Sequence, residues 1–174
     1  MDLPPTLAEL NSCPPERFLT VLGTVFEHAP WVAEAALPAR PFRSVDALHA
    51  AMMAVLQALP EPALLELLRG HPELAGSAAR AGTMTADSAD EQGSLALQAL
   101  AADEAAQWDA LNTAYREQFG FPFILCIRRH DRASALQAFL QRLHNTRGTE
   151  LRHALDEIAA ISRLRLAQRV HEAA

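Results

Sequence analysis

Phe119-Gly120-Phe121-Pro122-Phe123-Ile124-Leu125-Cys126-Ile127 is the stretch on which the fold class turns. A continuous apolar run of this length has the composition of a buried strand. Pro122 sits inside it, however, and proline cannot donate to a sheet ladder, which argues against a central strand. Gly120 suits the end of a preceding helix. The run therefore reads as an extended, buried connector between helices.

Outward from that connector the chain reads as helices punctuated by proline and glycine. Upstream, residues 88–118 carry Leu95, Leu100, Trp108, Leu111 and Tyr115 in a long helical pattern. Residues 71–87 are small and polar and read as a short turn of helix plus loop. Before them, Pro60 and Pro62 open a helix with Leu64, Leu65, Leu67 and Leu68, and Gly70 suits its C-terminal cap. Ser44 is a candidate N-cap for a helix bearing Leu48, Met52, Val55 and Leu56. Nearer the N-terminus, Pro14-Pro15 opens a helical pattern through Phe18, Val21, Leu22, Val25 and Phe26, stopped by Pro30. A short helix over 31–37 and a loop at Pro38 and Pro41 follow. Downstream of the connector, two helices are predicted near 133–145 and 149–170. No repeat, linker or composition break divides the 174 residues. The expectation is an all-α, single compact multi-helix domain spanning 1–174.

Composition removes several function classes. All 15 basic residues are arginine and the net charge is −6. An acidic chain lacks the basic face a general nucleic-acid binder needs. Without lysine there is no Schiff base, hence no ordinary pyridoxal-phosphate chemistry, and no Walker-type phosphate loop. His28, His49, His130, His144, His153 and His171 are scattered, with no HExxH and no Cys/His cluster, so no metal site is expected. Cys13 and Cys126 form no CxxC pair and read as reduced packing residues. No uncharged apolar run approaches the ~18–20 residues of a membrane span. Met1-Asp2-Leu3-Pro4-Pro5 lacks the basic-then-apolar pattern of a secretory signal, and Val170-His171-Glu172-Ala173-Ala174 is not a Ser-Lys-Leu address, so cytoplasm is the expected location.

Four features carry candidate chemistry. His71, between Gly70 and Pro72, is either a surface imidazole at a helix stop or a general acid/base with a pKa near working pH. Ser88-x-x-Glu91 is either a capping box or a catalytic pair, and Gln92 beside it either faces solvent or offers a donor and an acceptor to a urea-like group. Arg165 falls within the apolar stripe Leu151, Leu155, Ile158 and Ile161 of the last helix, whereas Arg163 lies opposite, beside Asp156. A buried arginine needs a partner, which is a protein carboxylate such as Glu27, the carboxylate of a substrate, or both. The backbone of Phe121-Pro122-Phe123-Ile124-Leu125 must likewise pair, with neighbouring protein or with a planar heterocycle.

In their order these segments resemble the OHCU (2-oxo-4-hydroxy-4-carboxy-5-ureidoimidazoline) decarboxylases. The matching residues include Leu22-Gly23-Thr24-Val25-Phe26-Glu27-His28-Ala29-Pro30-Trp31, Arg40-Pro41-Phe42, His71-Pro72-Glu73-Leu74 and Ser88-Ala89-Asp90-Glu91-Gln92. Leu111-Asn112-Thr113-Ala114-Tyr115 running into 119–124, then Arg142-Leu143 and Arg165-Leu166, complete the set. The resemblance implies that His71 and Glu91 are the catalytic acid/base residues. It implies that Pro72, Ser88, Gln92, Phe121, Pro122, Phe123, Ile124, Leu125 and Arg165 bind substrate. It also implies a homodimer and a cofactor-independent decarboxylation giving (S)-allantoin in urate breakdown. The substrate's own ring C=N would accept the electrons that carbon dioxide leaves behind, the part a cofactor otherwise plays. Ala96 and Gln98 stand where relatives often show Gly and Asp, a departure that bears on local helix packing. The competing class is a non-catalytic helical interaction module docking through Trp31 and Phe42. It gives no reason for an arginine on a core stripe alongside the His and Ser-x-x-Glu-Gln motifs.

Overall fold

The computed structural model describes residues 3–172; Met1, Asp2, Ala173 and Ala174, which the readings of the two termini took in, lie outside the described residues. The described residues form α1 (Leu7–Ser12), α2 (Pro15–Leu22), α3 (Pro30–Ala36), α4 (Val45–Gln57), α5 (Glu61–Arg69), α6 (Ser77–Ala81), α7 (Ala86–Gly93), α8 (Ala102–Phe119), α9 (Arg132–Arg142) and α10 (Arg147–Arg169). Short 3-10 turns occupy Leu37–Ala39, Leu97–Ala99 and Ile127–Arg129. Among these residues the sole β pairing is an isolated bridge between Thr6 and His171, so the chain is all-α. No single helix among them is long and apolar enough to cross a membrane. The chain divides into two compact units, Met1–Leu67 with Ala159–Ala174, and Leu68–Ile158.

In the first unit local chemistry sets most helix ends. Thr6 and Glu9 form a capping box on α1, Pro15 and Pro30 occupy the first turns of α2 and α3, and Ser44 caps α4 by accepting from the Ala47 amide at 3.0 Å. α2 ends at Leu22, not at Pro30: the Gly23 amide closes on the Leu19 carbonyl at 2.8 Å, and a Cβ at Gly23 would meet that oxygen at 2.7 Å. Residues 23–29 form turns in which Val25 and Phe26 stay buried and His28 is left-handed (φ 50°). Arg40 donates to the carbonyls of Leu10 (3.1 Å) and Cys13 (2.8 Å), ahead of a cis Arg40–Pro41 bond. Phe42 is buried and stacks on Phe18 with ring centroids 6.4 Å apart, which removes it from the surface a docking module would need.

In the second unit the expected helix over 88–118 is two helices. α7 stops at Gly93, and Ala96 adopts the left-handed conformation (φ 51°, ψ 37°) before α8 begins. Arg132 holds this break by donating to the carbonyls of Leu95 (3.0 Å) and Ala96 (3.3 Å). Gly120 ends α8 as expected, at φ 84°. Residues 121–126 then run buried and outside any helix or strand until the turn Ile127–Arg129. α10 runs from Arg147 to Arg169 and has residues in both units: its buried positions are Glu150, Ala154 and Ile158 in this one and Ser162, Arg165 and Leu166 in the first, while Leu151, Leu155 and Ile161 are only half-buried. Fourfold spacing with small and polar members carries that face, which a search for large apolar residues alone misplaces.

Candidate functional site

His71 is half-buried in the turn after α5, its amide donating to the Leu68 carbonyl at 3.1 Å. The four residues that follow are held almost entirely by side chains. Gln92 reaches them from α7, donating from Nε2 to the Glu73 carbonyl (3.1 Å) and accepting at Oε1 from the Ala75 amide (2.9 Å). Asn112 of α8 donates to the Leu74 carbonyl at 2.9 Å, and Arg80 donates to the Ala75 carbonyl at 2.8 Å. Ala75 is left-handed (φ 54°), a conformation that costs a non-glycine residue about 1–2 kcal/mol. The Glu73 carboxylate pairs with Arg116. Gly76 must be glycine-like, since a Cβ there would lie 2.8 Å from the Glu73 Cβ.

α7 presents the second segment. Its N-cap is Thr85, whose hydroxyl accepts from the Ser88 amide at 3.4 Å, so Ser88 lies inside the first turn and the Ser88–Glu91 capping box does not form. The helix starts three residues earlier than that reading required because Thr85 offers the same chemistry. Ser88 and Gln92 are both buried and, four apart, share a face with Glu91 beside them. Gln92 therefore neither faces solvent nor has its whole carboxamide available to a ligand: one N–H and one lone pair remain beyond the two bonds above. Asp90 pairs with Arg128 and ties α7 to the turn Ile127–Arg129.

The third segment, 121–126, is buried at every position. Two of its backbone groups are met by charged side chains, Arg142 Nη1 donating to the Ile124 carbonyl (2.8 Å) and the Cys126 amide donating to Glu157 (2.7 Å), and just before it Arg69 Nε donates to the carbonyl of half-buried Gly120 (2.9 Å) in an exposed bond. Phe123 stacks on Phe139 with centroids 4.0 Å apart, and the Arg142 guanidinium carbon lies 4.5 Å over the Phe123 ring. Arg69, Glu73, Arg116, Gly120, Phe121 and Pro122 line a pocket of about 320 Å³.

Beneath this segment Arg142 pairs with fully buried Glu150 (Nη2 to Oε2, 2.8 Å), which also accepts from Asn145 Nδ2 (2.7 Å) and from the Tyr115 hydroxyl. Burial alone pushes the Glu150 carboxyl up, but the bonds from Arg142, Asn145 and Tyr115 outweigh it and hold the group below its ordinary range. Burial, and then the bond to Glu150, drives the Tyr115 phenol far above its ordinary value. Burial also raises the Cys126 thiol, with Glu157 and Glu91 adding to the effect, so Cys126 is a poor nucleophile.

His71, Pro72, Ser88, Glu91, Gln92 and 121–125 thus fall in one unit, with Gln92 bonded to the turn of His71 and Arg128 joining α7 to the end of 121–126. Arg165 falls in the other unit, where it is buried and pairs with buried Glu27 at 2.9 Å. That is the protein carboxylate named from the sequence. Among the described residues no group of three or more His, Cys, Asp or Glu side chains is placed to hold a metal ion. Arg69, Asn112, Glu150 and Glu157 went unread as site-forming residues. Arg142 had a usable signal, since with Ala135 and Phe139 it completes a buried i, i+4, i+7 face of α9.

A family model described as OHCU decarboxylase matches residues 11–167. A 2-oxo-4-hydroxy-4-carboxy-5-ureidoimidazoline decarboxylase of Haloferax volcanii is 38% identical over 164 residues, covering 94% of this chain and 95% of that protein. The enzyme of the same name from Mus musculus is 39% identical, covering 92% of this chain and 90% of its own length. Among solved structures, an (S)-allantoin synthase superposes with a TM-score of 0.78 at 30% identity, covering 97% of this chain and 54% of that one.

Proposed function

Because this chain belongs to the OHCU decarboxylase family, we propose an assignment of its residues to that family's reaction. The chain is a carboxy-lyase that decarboxylates OHCU, a small-molecule substrate, to allantoin in urate degradation. In the proposed mechanism the C–C bond to the leaving carboxylate breaks and carbon dioxide departs; the electron pair forms a double bond to the ureido-bearing carbon, the displaced C=N pair takes a proton from solvent at the ring nitrogen, and the hydroxyl then loses its proton to become the carbonyl. Protonation of the ureido-bearing carbon from one face gives (S)-allantoin. The substrate itself serves as electron sink, so no cofactor is required. His71 takes the hydroxyl proton or returns one to carbon, and Glu91 orients it. Pro72, Ser88, Gln92 and Phe121-Pro122-Phe123-Ile124-Leu125 line the substrate, and Arg165 helps place its carboxylate through the guanidinium fork.

The observation that carries this reading is the pair of Gln92 bonds to Glu73 and Ala75, which fix α7, with Ser88 and Glu91, to the turn of His71. Arg165 pairs with Glu27, and its role toward the substrate carboxylate is carried by the family resemblance. The family match over residues 11–167 supports reading 1–174 as one decarboxylase domain. A homodimer and a cytoplasmic location belong to the same proposal. The test is His71→Ala: turnover falls ~10²–10⁴-fold if His71 is the acid/base. A folded His71→Ala protein with near-normal turnover removes the assignment.

A further inference from the structure

The backbone of Gly120 to Cys126 is gripped by charged groups from three directions. Arg69, two residues before His71, bonds the carbonyl of Gly120 at 2.9 Å. Arg142, from α9, bonds the carbonyl of Ile124 at 2.8 Å and covers the face of Phe123. Glu157, from α10, takes the amide of Cys126 at 2.7 Å. A buried segment without helix or ladder must have its polar groups satisfied somewhere. Neutral groups or water would suffice for that. Charge-assisted bonds at both ends are shorter and stronger, and they leave little freedom to the residues between.

We propose that Arg69, Arg142 and Glu157 are positioning residues for the decarboxylation: they clamp 120–126 at both ends so that the intervening backbone meets the flat substrate in one fixed orientation. This rests on the reading of Phe121 to Leu125 as substrate-lining. Arg69 has a further consequence, because it sits on the same short stretch as His71. Its bond to Gly120 sets the acid/base turn and the backbone platform at a constant separation, and a fixed separation between reacting groups is a main source of catalytic advantage.

Arg69 and Glu157 are the members to test, since Arg142 is buried with Glu150 and its loss threatens folding. Arg69→Gln and Glu157→Ala each remove one grip, while Glu157→Gln keeps an acceptor for the Cys126 amide. Hydrogen exchange of the 121–126 amides is measured in each protein with and without (S)-allantoin, together with melting temperature, KM, kcat and the optical purity of the allantoin formed. In the wild type (S)-allantoin slows exchange across 121–126. Arg69→Gln and Glu157→Ala exchange faster there, lose about fivefold or more in kcat/KM through a smaller competent population, and release allantoin of lower optical purity. Arg69→Gln melts close to wild type, Glu157→Ala melts a few degrees lower because the buried Cys126 amide loses its acceptor, and Glu157→Gln recovers most of the loss. Unprotected 121–126 amides in the wild type would overturn the substrate-lining reading, and the clamp with it. Protection in the wild type, with exchange, KM and optical purity unchanged in both grip-removing variants, would overturn the clamp alone. Lower melting temperature and activity with unchanged KM and optical purity would also overturn it, as those are the marks of a merely structural role.

Discussion

Glu150→Gln tests the buried network under 121–126 with a change of one atom type. Glu150 is 0% exposed and its carboxylate accepts from Arg142, Asn145 and Tyr115. Glutamine keeps one acceptor oxygen and replaces the other with an amide NH2, a donor that faces donors. It also strands the Arg142 charge, only 7% exposed, without its counter-ion. Removing one partner of a buried pair costs ~3–5 kcal/mol. With an unfolding entropy of ~2.1 cal/mol/K per residue, a 174-residue chain melts ~8–14 °C lower for that loss. The assay is a circular-dichroism melt at neutral pH, beside the double variant Arg142→Met/Glu150→Leu. Removing both charges spares the stranded guanidinium but leaves Asn145, the Tyr115 hydroxyl and the Ile124 carbonyl short of a partner, so the double variant recovers part of the drop and not all of it. A Glu150→Gln protein melting within ~3 °C of wild type, a loss of only about 1 kcal/mol, would show that Arg142 does not depend on Glu150 and would refute the reasoning.

Three other outcomes follow from the same geometry. Because Glu150 titrates below its ordinary 4.5 in the folded chain, its contribution is complete above that pH and is lost as pH falls through the folded value; the gap in melting temperature between wild type and Glu150→Gln therefore closes under acid. Ala96→Gly relieves a left-handed alanine and stabilises by ~0.5–1 kcal/mol in urea titration, whereas a neutral or destabilising result would mean the turn does not hold that conformation in solution. Gln92→Leu leaves the Ala75 amide unpaired and the Glu73 carbonyl with only the Gly76 amide, costs ~1–3 kcal/mol in the same titration, and lowers turnover beyond what the folded fraction explains.

The all-α class was legible because punctuation carried it: Pro15, Ser44 and Gly120 each begin or end a helix where local chemistry places them, while Pro30, read as the stop of the preceding pattern, instead opens α3. Residues 121–126, with Pro122 among them, lie outside any helix or strand. The breaks at Gly23 and Ala96 were not legible. Gly23 stops α2 through a close approach to Leu19, and the left-handed turn at Ala96 uses a residue with no preference for it, held by an arginine 36 positions away. Arg165 and its partner Glu27 could be named because a charge on an apolar helical face is conspicuous. The rest of the frame could not. Asn112 to Leu74 and Glu157 to Cys126 are side-chain bonds to backbone across 38 and 31 residues, and no periodicity encodes which carbonyl or amide a polar side chain will find. Ser88 shows the limit at short range too, for two hydroxyls three residues apart offered the same cap and Thr85 took it.

The central claim is facially controlled decarboxylation of OHCU, and a coupled assay addresses it most directly. OHCU is generated fresh from urate with urate oxidase and hydroxyisourate hydrolase, the protein is added, and absorbance and circular dichroism are followed against the spontaneous decay. The account predicts faster loss of OHCU with a growing signal of (S)-allantoin. Decay at the blank rate to racemic allantoin, in the presence of folded protein, would contradict it.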